Sequence, residues 1–261
     1  MFNRHFDPFN LLIDPETKTI FVLNPKVMTT FVRTVLRAGF AEFRGGVDMS
    51  NNRYRLLSQA RNFPLHPLST YARLCFTQDD YDVFSMVRNP FSRTISAWKN
   101  KFYDPHVQGG GKAAAYPLSM RKGELRSFRR FARAHGLEGA EEGTLVPFST
   151  FMARIEAQKE GRRNHHWDTQ SSVIQGHHFA FTRIFRMEDE RKACLLTLFS
   201  RLGFDHDWIQ SRLARPENKS SSPSHIGYDA ATAAQARKIF APDFDAFGYS
   251  LELPPKLAQS T

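Results

Sequence analysis

The sequence predicts an α/β fold with parallel strands, in one domain that spans residues 1–261. Two segments share the same order of elements: an apolar, β-branched run, a turn signal, and then apolar residues at helical spacing. Strand–loop–helix units of this kind are typical of α/β proteins, because a helix returns the chain to the next parallel strand. No internal repeat and no linker divides the chain, so we expect one domain.

The first unit begins with a strand predicted over residues 20–24, where Ile20, Phe21 and Val22 form an apolar run. A turn at Asn24-Pro25 follows the strand. The spacing of apolar residues then predicts a helix from Thr29 to Ala38, which Gly39 ends.

The second unit lies at residues 83–102. Residues 83–87 predict a buried strand, and Arg88 begins the turn after it. Asn89 is suited to cap the next helix, with Pro90 at its first position.

Weaker patterns predict the remaining elements. We expect helices over 124–135, 148–160, 188–202 and 229–240, with a partly helical stretch at 54–61. We expect a strand over 178–185, a flexible loop over 108–115 and a polar loop over 217–224.

Composition excludes several classes of protein. The 261 residues carry a net charge of +10, 41% are hydrophobic, and no run is long enough for a membrane helix or a secretory signal. Cys75 and Cys194 are isolated, so neither a disulfide scaffold nor a zinc site is indicated. We therefore expect a soluble, cytoplasmic protein with an anionic partner and no metal.

The loop between the first strand and helix has the composition of a phosphate site. Lys26 supplies a positive charge, Val27 and Met28 supply backbone N–H groups, and Thr29 and Thr30 add hydroxyls at the start of a helix. A Walker A loop needs GxxxxGK[ST], and this loop has no glycine, which disfavours an ATP- or GTP-hydrolysing enzyme. Taken alone, the loop is better explained as an ordinary strand-to-helix turn.

Arg88 and Ser96 form a second candidate anion site after the second strand. A guanidinium binds a phosphate through two hydrogen bonds, and a hydroxyl two helical turns later completes such a site. Parallel strands bring their carboxyl ends to one edge of the sheet, where ligands of open α/β sheets bind. Two neighbouring anion sites suit a ligand with two separated phosphates.

These segments resemble the carbohydrate sulfotransferases, a family that includes the chondroitin 4-O-, HNK-1 and heparan sulfate 2-O-sulfotransferases. Residues 21–30, FVLNPKVMTT, resemble the family's 5′-phosphosulfate loop, and residues 87–102, VRNPFSRTISAWKNKF, resemble its 3′-phosphate motif. HWDTQ at 166–170, RMEDE at 186–190, NKS at 218–220 and DFDAFGY at 243–249 also match family segments. Asn89 departs from the family's usual Asp, and Thr29-Thr30 from its Cys-Thr or Ser-Thr pair.

The resemblance implies a P-loop-like three-layer fold, with a central parallel sheet flanked by helices. It also implies sulfuryl transfer from 3′-phosphoadenosine 5′-phosphosulfate to a hydroxyl of a carbohydrate, glycolipid or similar acceptor. Lys26 would neutralise the leaving group, with the 27–30 loop around it, and Arg88 and Ser96 would hold the 3′-phosphate. The candidate bases are His66 and then His166.

Two further groups of residues complete the prediction. The resemblance implies that Asn218, Lys219 and Ser220 close over the nucleotide. Arg126 and Arg130 share one face of a predicted basic helix and are candidates for binding an anionic acceptor, although a solvated helix face is the better explanation for them.

The sequence leaves three alternatives open. A small-molecule kinase would prefer ATP with Mg²⁺, and a nucleic-acid-binding module would show steeply salt-dependent binding. The charge alone motivates the second of these, since no nucleic-acid-binding signature is present. A catalytically inactive relative is the third, and the sequence determines neither the acceptor nor the oligomeric state.

Overall fold

A computed structural model describes residues 10–44, 80–117, 120–176, 178–214 and 227–259. The described residues form two compact units. The first combines residues of Met1–Arg88 with Gln170–Ser221, and the second combines residues of Asn89–Thr169 with Ser222–Thr261. The prediction of a single domain stays a prediction.

A four-stranded sheet lies in the first unit. Its strands are β1 (Leu11–Asp14), β2 (Thr19–Val22), β3 (Asp82–Val87) and β4 (Arg183–Arg186), and they are ordered β1-β2-β3-β4. The β2–β3 and β3–β4 pairs are parallel, and β1 joins β2 as an antiparallel edge. The predicted α/β fold is therefore confirmed, with a central, mostly parallel sheet flanked by helices.

The helices of the described residues follow the predicted order along most of the chain. In chain order they are α1 (Thr29–Phe43), α2 (Pro90–Trp98), α3 (Asp104–Gly109), α4 (Leu125–Ala134), α5 (Phe148–Glu156), α6 (Gln170–Gln175), α7 (Met187–Arg201), α8 (His206–Leu213), α9 (Ala230–Ile239) and α10 (Ala241–Phe247). One π-helical segment, Lys99–Tyr103, joins α2 to α3, and another, Met120–Glu124, precedes α4.

Several predicted boundaries were wrong. The strand predicted over 178–185 begins only at Arg183, and the loop predicted over 108–115 starts inside α3. Strand β1 and helices α3, α6, α8 and α10 were not predicted. The stretch at 54–61 and the loop at 217–224 lie outside the described residues.

One hydrophobic core of the first unit lies between a face of the sheet and helices α1, α7 and α8. Phe21, Phe84 and Phe185 from three strands pack with residues such as Leu36 and Leu198. Large apolar side chains on one face of neighbouring strands bury the most surface against such helices, which is why the sheet and these helices fold together.

Gly39 does not end α1, as the sequence predicted, but lies inside it. An added Cβ at this position would lie 2.2 Å from Cε2 of Phe204, far below van der Waals contact. The glycine therefore permits a close approach between α1 and the Phe204 ring, and it has no positive φ that would require a helix end.

The second unit is helical and has an aromatic core. The rings of Phe102, Phe128, Phe151 and Trp167 pack against one another with centroid separations of 4.8–6.2 Å. Trp167 is completely buried in this core. Among the described residues, no helix combines the length and the apolar character needed to cross a membrane.

We expect Gly39→Ala to lower the free energy of unfolding by about 1–3 kcal/mol, because the new methyl group must displace the buried Phe204 ring. Urea unfolding followed by circular dichroism measures this change. The matched control is Gly123→Ala, which has nothing within 4 Å of the added Cβ. Equal stabilities of the two variants would contradict the close approach.

Candidate active site

The loop after β2 begins with a tight turn. The backbone N–H of Val27 donates to the carbonyl of Asn24 at 3.1 Å, which closes a four-residue turn with Pro25 and Lys26 at its centre. Lys26 has φ 71°, and a turn with proline second and a positive φ third has the pattern of type II. Glycine normally takes that third position, because a side chain there is strained.

The loop contains a second strained residue at the start of α1. Met28, the N-cap residue, has φ 54° and ψ 19°, and no side chain caps the helix. The sign of φ thus alternates at Lys26, Val27 and Met28. Alternation of this kind is the backbone pattern of an anion-binding nest, in which successive N–H groups turn toward one point. The N–H of Val27, which was predicted to bind a phosphate, is already used by the turn.

The N–H groups at the start of α1 have no acceptor among the described residues. The first helical bond runs from the N–H of Val32 to the carbonyl of Met28. Within the described ranges, the backbone N–H groups of residues 28–31 donate to no other group. Thr29 is half-buried and Thr30 is exposed, so solvent reaches this helix end. The helix dipole adds partial positive charge there, and the arrangement suits an anion.

A buried glutamine joins this loop to the end of β3. The Gln170 side chain donates through Nε2 to the carbonyl of Arg88 at 2.7 Å, and its Oε1 accepts from the N–H of Arg88 at 2.9 Å. The same Oε1 accepts from Nδ2 of Asn24 at 3.0 Å, and this Nδ2 also donates to the carbonyl of Met86. One carboxamide therefore fixes the ends of β2 and β3 against each other.

The structure brings Lys26 and Arg88 together. Nη1 of Arg88 donates to the carbonyl of Lys26 at 3.3 Å, so the guanidinium lies against the strained turn. Both side chains are half-buried, which leaves part of each reachable from solvent. The first unit thus holds the guanidinium of Arg88 against the turn that carries Lys26, as the parallel topology of β2 and β3 predicted.

The other predicted site residues that the structure describes belong to the second unit. Ser96 lies in α2 and His166 in the turn before α6, and both are half-buried residues of the second unit. Arg126 and Arg130 are exposed on α4 of the same unit. His66, Asn218, Lys219 and Ser220 lie outside the described residues.

Sequence reasoning did not single out two buried groups in the matched motifs. Arg93 is 1% exposed and donates to the carbonyls of Asp168 and His165 at 2.7 and 2.9 Å. The carboxylate of Asp168 accepts from the N–H of Arg163 at 3.1 Å and lies 3.6 Å from its guanidinium. Burial lowers the pKa of Arg163, and the charge of Asp168 opposes that shift. In the sequence, Arg93 and Asp168, like Gln170, were visible only as members of the matched motifs.

Comparison with known proteins agrees with this geometry. The model of the Sulfotransferase family matches residues 9–250. The chain belongs to the sulfotransferase family. Carbohydrate sulfotransferase 11 of Rattus norvegicus and of Mus musculus are each 20% identical to it over 246 residues, which cover 93% of this chain and 67% of theirs.

Carbohydrate sulfotransferase 11 of Danio rerio is 22% identical over 181 residues, which are 69% of this chain and 49% of that protein. No solved structure matches the chain with significance. In this sulfotransferase, the matched region includes the strained turn, Arg88 and the buried Arg93.

We expect Lys26→Gly to be more stable than Lys26→Ala by about 1 kcal/mol, because only glycine adopts φ 71° without strain. Both variants lose the same ammonium group, so the difference between their stabilities reports the backbone conformation alone. Urea unfolding of the pair measures it. As a control, the same two substitutions at Lys192, an exposed residue inside α7, should favour alanine. A turn without strain would make alanine at least as stable at position 26.

Proposed function

We propose that this chain transfers a sulfuryl group from 3′-phosphoadenosine 5′-phosphosulfate to a hydroxyl of a carbohydrate or similar acceptor. Family membership and the names of the relatives support the reaction class. The observation that carries the donor assignment is the glycine-free, strained loop after β2. The N–H groups of residues 28–31 have no acceptor among the described residues, and Arg88 donates to the carbonyl of Lys26.

The residues present fit a donor with two separated phosphates. The N–H groups of residues 28–31 and the ammonium group of Lys26 suit its 5′-phosphosulfate, and the Arg88 fork suits its 3′-phosphate. The hydroxyl of Ser96 is proposed for the same 3′-phosphate, and residues 218–220 are proposed to close over the nucleotide. When bound, the donor supplies the sulfuryl group and a phosphate that leaves.

Lys26 and the helix end would act through electrostatics. Charge develops on the departing phosphate as the sulfuryl group is transferred, and fixed N–H groups and cations stabilise that charge without reorganising. Because the turn and Gln170 hold the loop rigidly, these groups are positioned before the reaction begins.

The acceptor hydroxyl must also lose its proton. His66 and His166 are the proposed bases, and of the two the structure describes His166, whose Nδ1 lies 2.8 Å from Oδ1 of Asn164. Arg126 and Arg130 are proposed contacts for an anionic acceptor, since both are exposed on the basic helix α4.

We expect Arg88→Ala to weaken binding of 3′-phosphoadenosine 5′-phosphate by at least about tenfold, because a hydrogen bond to a charged group contributes about 1.5–3 kcal/mol. Isothermal titration calorimetry measures the dissociation constant. Arg37→Ala removes an exposed arginine of α1 and should leave the constant unchanged. Unchanged affinity in Arg88→Ala would remove Arg88 from the donor site.

We expect Lys26→Ala to lower kcat by about 100-fold or more, because a lost transition-state contact of this kind has that effect. The assay follows labelled sulfate from the donor to a panel of glycans, glycolipids and phenols. Lys112→Ala, at an exposed lysine, should retain full activity.

Two results would contradict the proposed reaction. One is full transfer activity in Lys26→Ala. The other is thermal stabilisation of the wild-type protein by ATP with Mg²⁺ but not by 3′-phosphoadenosine 5′-phosphate, which would favour a kinase.

A further inference from the structure

A chain of three side chains in the second unit ends at His166. The carboxylate Oε1 of Glu124 accepts from Nδ2 of Asn164 at 3.2 Å. Oδ1 of Asn164 lies 2.8 Å from Nδ1 of His166, and it also accepts from the backbone N–H of His166 at 3.0 Å. The three residues are half-buried, so water competes only partly with these bonds.

The chemistry of the three groups gives the chain one direction. A carboxylate only accepts hydrogen bonds, so the Asn164 end that faces Glu124 must be its donating nitrogen. The other end, which faces His166, is therefore the carbonyl oxygen, and that oxygen only accepts. Nδ1 of His166 must then carry a proton in order to donate.

We infer that Asn164, itself oriented by Glu124, holds neutral His166 in the tautomer with its proton on Nδ1 and its lone pair on Nε2. The catalytic meaning of this tautomer rests on the proposed function. A general base needs an unprotonated nitrogen, and in this tautomer that nitrogen is Nε2. Asn164 and Glu124 are positioning residues in this arrangement. Asn164 contacts Nδ1 through an amide oxygen, which carries no formal charge.

The backbone that carries His166 is also fixed. The N–H groups of Trp167 and Asp168 both donate to the carbonyl of Asn164 at 2.9 Å, and the Trp167 ring is completely buried. The guanidinium of Arg93 binds the carbonyls on either side, those of His165 and Asp168. The imidazole therefore extends from a backbone turn that several hydrogen bonds fix, and Asn164 contacts the ring at Nδ1.

His166 is one of the two proposed bases of the reaction. In the proposed reaction, Nε2 of His166 takes the proton of the acceptor hydroxyl while the acceptor oxygen bonds to sulfur. The bond between sulfur and the bridging oxygen breaks, and its electron pair remains on the 5′-phosphate.

The tautomer can be measured without turnover. We expect nitrogen-15 NMR of the wild-type protein, labelled at histidine and assigned with His166→Gln, to show the proton of neutral His166 on Nδ1. Asn164→Ala removes the acceptor and should shift the ring toward the Nε2–H tautomer. Asn164→Asp keeps an acceptor at the same place and should restore the Nδ1 proton.

Activity provides the second readout. We expect Asn164→Ala to lower kcat at least tenfold with an unchanged KM for the donor, and Asn164→Asp to recover part of the loss. Glu124→Gln can still accept a hydrogen bond from Asn164, so its kcat should fall less than that of Glu124→Ala. His135→Gln, at an exposed histidine after α4, is the control and should keep full activity.

Each contrary result overturns a defined part of the inference. A wild-type His166 with its proton on Nε2, or an unchanged tautomer in Asn164→Ala, would overturn the orienting role of Asn164. Full turnover in His166→Gln would overturn the use of His166 as the base. Neither result affects donor binding, which the Arg88→Ala titration tests separately.

Discussion

The carboxamide of Gln170 fixes the two predicted phosphate-binding loops, which follow β2 and β3, against each other. It is fully buried and bonds both backbone groups of Arg88 as well as the side chain of Asn24. Leaving one such buried group unpaired costs about 1–3 kcal/mol, so the ends of β2 and β3 have little freedom to slide. The Ser85 hydroxyl, which donates to the carbonyl of Val22 at 2.9 Å, reinforces the same register.

That constraint explains how a loop without glycine keeps two residues at positive φ. Strain at Lys26 and Met28, about 1–2 kcal/mol for each, persists only where the surroundings leave no alternative. Asn24 fixes the start of the turn, Arg88 binds the carbonyl at its centre, and Met28 packs against the core of the first unit. A glycine-rich loop relaxes this strain through its backbone, whereas this loop keeps a lysine at its most strained position.

Local patterns predicted the elements that local physics determines. The strands that became β2 and β3, the Asn89 cap with Pro90 after it, and the approach of Lys26 and Arg88 all follow from short-range signals and parallel topology. Contacts with residues that are distant in the sequence determine the features that local patterns did not predict. Gly39 looked like a helix end because its neighbour Phe204 is remote in sequence, and positive φ at Lys26 had no glycine to signal it.

The matched motif contains two arginines whose surroundings separate their roles. Arg93 is buried and directs its guanidinium at the carbonyls of His165 and Asp168, so it stabilises the turn that carries His166. Arg88 is half-buried and lies against the strained turn, where an anion can reach it. A motif match treats the two alike, because their spacing and charge are all that a sequence shows. Burial and hydrogen-bond partners distinguish an arginine that holds the fold together from one suited to bind a phosphate.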